Sequence, residues 1–187
     1  PASTNAKGSA ALNVACGEGH EACVKTLLQA GANPNSAYPD GETVLMLACQ
    51  NGHDACVHAL LQAGADPDST DVKGVTALML ACGQGHEACA QVLLQAGADP
   101  ASTNAKGFTA LFLACGKGHE ACAQALLQVF AAVEGGQEPL ALLRLLQGTY
   151  GAVDAEGDEY TEGDRGEHGG DKRQRGTAPD EPTATDD

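Results

Sequence analysis

Tryptophan is missing from this 187-residue chain, and aromatic residues of all kinds make up 3% of it. A core without large rings has to be assembled from Leu, Ala, Val and Cys, and side chains that small imply closely packed helices. Cations are scarce as well: 10 Lys+Arg stand against 25 Asp+Glu, a formal net charge of -15. That balance argues against a nucleic-acid backbone as partner, because phosphate binding needs clustered positive charge. No apolar run approaches the ~20 residues that a membrane-spanning helix requires. The chemical motifs are lacking too. There is no G-x-S-x-G elbow, no phosphate-cradling loop and no H-E-x-x-H, so no catalytic constellation is expected and the chain reads as a non-enzyme.

What is present is a period. Eight cysteines form two series, Cys16, Cys49, Cys82, Cys115 and Cys23, Cys56, Cys89, Cys122, each advancing by 33 residues. Glycines at 8, 41, 74 and 107 keep the same step, as do His20, His53, His86 and His119 and the Leu pairs 27–28, 60–61, 93–94 and 126–127. Four units result. The octapeptide PASTNAKG occurs twice without change, at 1–8 and 100–107, a sign of duplication. Pro1 aligns with Pro100 inside the GADP turn, and no initiator Met is present. The chain is therefore read as entered inside a unit, with further units expected upstream.

Within a unit such as GVTALMLACGQGHEACAQVLLQAGADP (74–100), Thr76 is placed to cap a first helix, as are Thr43 and Thr109. The first unit has Ala10 there, which should cost its helix roughly 1 kcal/mol. Leu78 and Leu80 fall on different faces, as an element sandwiched between neighbours requires. Gly85 ends the first helix. A second helix is expected over about 86–96, with Glu87 near its positive end and Gly97 taking the left-handed conformation that stops it. A helix pair of this size has no core of its own and gains stability only by stacking on its neighbours.

The pattern GxTALxLACxxGHEACxxxLLQAGADP resembles the ankyrin repeat, whose usual form is GxTPLHLAAxxGHxEIVxLLLxxGADVN with period 33. The resemblance implies an all-α solenoid of helix-turn-helix units joined by hairpin loops over residues 1–130. It departs at the Pro of TPLH (Ala11, Val44, Ala77, Ala110) and at its His (Asn13, Met46, Met79, Phe112), which lowers local rigidity. Gly17, Gly83 and Gly116 add a second glycine near each helix end, at up to ~1 kcal/mol each if helical. Residues 131–150, with Pro139 opening and Gly148 closing a Leu-rich stretch, read as a degenerate cap. Residues 151–187 hold 12 Asp+Glu against 4 Lys+Arg with almost no apolar side chains, the composition of a disordered acidic tail. Such a tail either recruits a basic partner or, the reading preferred here, solubilises the protein.

The Cys-x3-His-x2-Cys triplet of each unit carries zinc-type ligands, but it supplies three where structural zinc takes four. In the ankyrin register these cysteines replace interior Ala and Ile, where Cys acts as a small hydrophobe, and the His is an ordinary feature of the GH turn. Neither metal nor cofactor is expected. Disulfides between units are not expected, because equivalent atoms in stacked helical units lie about 8–10 Å apart, beyond bridging distance. Bridges within a unit, such as Cys16 to Cys23, stay open, with reduced thiols in an intracellular compartment the simpler account.

The resemblance further implies a concave groove lined by hairpin tips and first helices, at which partner proteins bind. The matching tip residues are Lys7 and Ser9; Tyr38, Asp40 and Glu42; Lys73 and Val75; and Lys106 and Phe108. The matching helix-end residues are Glu18, Gln50, Asn51, Gln84 and Lys117. These positions vary while the frame around them does not, and Tyr38 and Phe108 are the expected anchors, since aromatics dominate interface energetics. The expectation is a monomeric protein-binding module or scaffold, inside the cell in cytoplasm or nucleus. Two alternatives stay open: a regulatory arm of a larger enzyme, channel or ubiquitin-ligase component, and a Cys/His-rich metal or redox sensor.

Overall fold

The computed structural model describes residues 3–133, with side chains from 10 to 131. Eight helices follow one another: α1 (Ser3–Gly17), α2 (Glu21–Gln29), α3 (Val44–Gln50), α4 (Asp54–Gln62), α5 (Ala77–Gln84), α6 (Glu87–Gln95), α7 (Ala110–Gly116) and α8 (Glu120–Val133). They pair as α1/α2, α3/α4, α5/α6 and α7/α8. The first helices pack in one row, α1 on α3 on α5 on α7, and the second helices in another, α2 on α4 on α6 on α8.

The caps are where the threonines stand. Thr43, Thr76 and Thr109 Oγ1 accept from the backbone N–H of Met46 (3.2 Å), Met79 (3.3 Å) and Phe112 (3.2 Å). Each second helix opens with an acid, Glu21, Asp54, Glu87 or Glu120, in its first turn, where the carboxylate meets the positive end of the helix dipole. Between the two rows lies one continuous core. Leu12, Leu45, Leu60, Leu78, Leu93 and Leu126 are fully buried in it, each worth about 1.5–3 kcal/mol. No helix among the described residues is long and apolar enough to cross a membrane.

Two isolated antiparallel bridges, Ala37 with Thr43 and Thr70 with Thr76, mark hairpins between units. Hydrogen bonds also tie one hairpin to the next: Val72 N–H donates to Asp40 O (3.0 Å), and Ala105 N–H to Lys73 O (2.9 Å). In the loops behind them, Asn35 Oδ1 accepts from Asp66 N–H (2.8 Å) and Asp68 Oδ1 from Asp99 N–H (2.9 Å). The stack is thus joined along the loops as well as through the core.

Three expectations need correction. The first hairpin, with Lys7 and Ser9 at its tip, is replaced by helix, since α1 begins at Ser3 and runs through Ala10. Thr109 stops α7 from extending backwards by capping it, whereas Ala10 has no oxygen to do so. At the other end, α8 is a 14-residue helix where α2, α4 and α6 have 9. The earlier second helices give way to glycines at φ 89°, 91° and 91°. Phe130 stands at the corresponding position, and a side chain there disfavours the left-handed turn. Lastly, Cys23 and Cys115 are exposed, while the other six cysteines are buried. The first-helix thiol faces the following unit and the second-helix thiol the preceding one, so among the described residues Cys115 and Cys23 lack a covering neighbour. The cap expected over 131–150, past Val133, and the tail at 151–187 lie outside the described residues.

Candidate protein-binding face

The hairpin tips are shaped by the residue at their base. Asp71 Oδ1 accepts from both Lys73 N–H and Val75 N–H (2.8 Å each), and Asn104 Oδ1 from Lys106 N–H and Phe108 N–H (3.0 Å each). These side chains occupy the backbone donors of the tip and leave the next positions to project. In the second unit the same register holds Tyr38, which cannot serve as such an acceptor by a short side chain. The next carboxylate substitutes, with Asp40 Oδ1 accepting from Glu42 N–H (3.2 Å). Tyr38 is 40% exposed, one of four large apolar side chains open to solvent among the described residues.

Of the residues assigned to this face from sequence, Tyr38, Asp40, Lys73, Gln84, Lys106 and Lys117 are exposed, and Glu42, Gln50, Asn51 and Phe108 are partly so. Val75 is not available. It is 3% exposed and belongs to the core, whereas Glu42 and Phe108, which precede their Thr caps in the same way, are partly exposed. Phe108 has a partner that the sequence reading did not single out: its ring stacks on Phe112, with centroids 4.4 Å apart and planes 17° from parallel. Phe112 occupies the position of the buried Met46 and Met79 but is only half-buried. The i, i+4 spacing of two aromatics at a helix start was the signal for this platform.

The helix-end residues are set by contacts between units. Asn51 Nδ2 donates to Leu47 O (3.1 Å), closing the end of α3. Gln50 O lies 3.0 Å from Nε2 of His86 in the next unit, and Gly17 O lies 3.0 Å from Nε2 of His53. A carbonyl only accepts, so Nε2 carries the proton in both rings. His53 and His86 thus tie one unit to the one before it, a role their place in the GH turn did not reveal.

Charge divides along the tips. The second unit offers Asp40 and Glu42, whereas the third and fourth offer Lys73, Lys106 and Lys117. The thiols behind this face are apolar in character. Burial, then the nearby Cys56, pushes the Cys16 thiol up to about 12. Burial likewise raises Cys49, Cys56, Cys82 and Cys122. Among the described residues no three His, Cys, Asp or Glu side chains gather as a metal site would require.

Paired short helices stacked in two rows, tied by hairpins and a repeating histidine, define a stacked-repeat protein whose outer positions vary on a fixed frame. Comparison with family models matches "Ankyrin repeats (3 copies)" over residues 1–71 and 45–135, and the chain belongs to the ankyrin repeat family. A search of curated proteins returns no match.

Proposed function

We propose that this chain binds one extended polypeptide across its hairpin tips and first-helix ends, anchored by Tyr38 at one end and the Phe108–Phe112 stack at the other. Ankyrin repeats are generally protein–protein interaction modules and typically non-enzymatic, which supports the class. The finer reading rests on one observation, a stacked aromatic pair kept half-exposed where the equivalent methionines are buried. Offset-stacked rings present a flat apolar surface at low entropic cost. The division of charge suits a partner with basic groups over Asp40 and Glu42 and acidic groups over Lys73, Lys106 and Lys117. Hairpins already bonded to one another require little ordering on binding. The module acts as a monomer with neither metal nor cofactor, and its net charge disfavours nucleic acid.

Peptides selected on the folded chain from a displayed random library test this. The double substitution Tyr38→Ala and Phe108→Ala is expected to weaken the selected set at least tenfold, with an unchanged circular-dichroism spectrum. Equal affinities for wild type and double variant would place the binding surface elsewhere.

A further inference from the structure

The hairpin tips of the third and fourth units keep their backbone donors for themselves. In the third unit every N–H from 71 to 75 is bonded within the array. Asp71 donates to Val75 O (3.1 Å), Val72 to Asp40 O (3.0 Å) and Gly74 to Asp71 O (3.0 Å), while Lys73 and Val75 donate to Asp71 Oδ1 (2.8 Å each). The fourth repeats this from 104 to 108. Asn104 donates to Phe108 O (3.1 Å), Ala105 to Lys73 O (2.9 Å) and Gly107 to Asn104 O (2.8 Å), while Lys106 and Phe108 donate to Asn104 Oδ1 (3.0 Å each). A strand added to an edge needs donors and acceptors from that edge in alternation. These hairpins offer it no donors, so the carbonyls of a bound chain have to stay in water.

Spacing narrows the choice again. Hairpins bonded directly to one another advance with the helix rows, by about 8–10 Å per unit. Residues on one face of a β-strand recur at about 6.6–6.8 Å, out of step with that interval. In a polyproline II helix one face recurs every three residues, about 9.3 Å apart, and the backbone is hydrated throughout. The side chains on offer follow the same step. Pro39, Val72 and Ala105 form one exposed column, and Asp40, Lys73 and Lys106 the next. Val72, which the sequence did not assign to this face, is 74% exposed, more than any other large apolar side chain among the described residues.

Taking the binding face proposed above as given, we infer that its occupant is a proline-rich segment in the polyproline II conformation. One residue in three faces each hairpin, with a basic residue over Asp40 and an acidic residue three positions away over Lys73. Proline presets this conformation, so little chain entropy is lost on binding. Its ring is an apolar body suited to Val72 and to the flat Phe108–Phe112 stack. The two charges set register more than affinity, because exposed ion pairs are weak.

The test uses the whole chain and the peptides selected on it from the displayed library. We expect the selected set to be rich in proline, with a basic and an acidic residue three positions apart. Synthetic copies of the tightest peptide, with that interval changed to two or four, should bind about threefold more weakly. Copies with alanine in place of proline should lose about tenfold. Val72→Ala should weaken the original peptide about threefold without altering the circular-dichroism spectrum of the protein. Lys73→Glu should reverse the preference at the acidic position and favour Lys there. Equal binding at all three intervals would overturn the inference. So would selected peptides that alternate apolar residues without proline, or that gain helical circular dichroism when bound. If such peptides still lose affinity to the Tyr38→Ala, Phe108→Ala variant, only the polyproline occupant falls; if they are indifferent to it, the face falls as well.

Discussion

The imidazole of His86 occupies the space above Gly52 in the preceding unit. A Cβ built on Gly52 would stand 2.6 Å from His86 Nδ1, and the same ring reaches Gln50 O at 3.0 Å through Nε2. His53 over Gly19 and His119 over Gly85 repeat the fit. The glycine at each helix junction therefore answers to two demands, its own φ of 76° at Gly52 and the ring of its neighbour.

Substitution separates those demands. Gly52→Ala should destabilise the array by about 2–4 kcal/mol, combining a left-handed alanine with an overpacked contact. Gly64→Ala, at φ 91° with nothing within 4 Å of its Cβ position, should cost only ~1 kcal/mol. Urea denaturation of the two variants measures the difference, and equal losses would show that the histidine contact contributes nothing.

Gly83 calls for the opposite change. It lies inside α5, buried and helical, and a Cβ there would meet Leu113 Cβ at an ordinary 3.7 Å. Gly83→Ala should raise stability by ~0.5–1 kcal/mol through a less flexible unfolded chain and a better helix former. An unchanged or lowered urea midpoint would mean that the α5–α7 contact is tighter than described.

Asn13 is a second weak point. Its Oδ1 is buried with no hydrogen-bond partner among the described residues, at the position that Met46 and Met79 fill at 1% exposure. Asn13→Met should stabilise the first unit by ~1–2 kcal/mol by removing an unsatisfied acceptor. Hydrogen exchange of α1 and α2 amides is the local readout, and slower exchange is the expected result.

Alkaline pH should weaken the fold. Thiols raised from 9.0, Cys16 to about 12, retain protons in the folded state that the unfolded chain loses. Their contribution is complete below the unfolded value near 9.0 and drains away as pH climbs toward the folded one. The slope is about 1.4 kcal/mol per pH unit for each such thiol. Denaturation under reducing conditions at pH 7, 9 and 10 should show near-constant stability, then a fall. Cys16→Ala should flatten the decline.

Much of this architecture was legible because period and local chemistry agree. The threonine caps, the acids that open the second helices and the glycines that close them each act within a few residues, so one unit suffices to read them. The features that escaped depend on the next unit. The histidine tie crosses 36 residues, between positions that a self-alignment never places in one column. Val75 shares its column with variable Ser9, Glu42 and Phe108, and only the packed hairpin shows that a valine there turns inward. The first hairpin failed for a local reason, one missing hydroxyl at Ala10, whose effect on the backbone before it exceeded the lost stability expected of it. For the proposed binding face, sequence supplied one member of the aromatic pair, and the distance between the rings supplied the other.

The octapeptide that occurs twice takes two shapes. Residues 3–8 coil into α1, while the same letters at 102–107 trace the loop and hairpin before α7. The second copy is held from outside itself, by the carbonyl of Lys73 on Ala105 N–H and by Thr109 behind it. A designer who transplants this loop into another scaffold must therefore carry its moorings along, since the turn that Asn104 makes inside the segment does not alone fix its form. By the same token, a copying event in the gene can hand on spelling without handing on form.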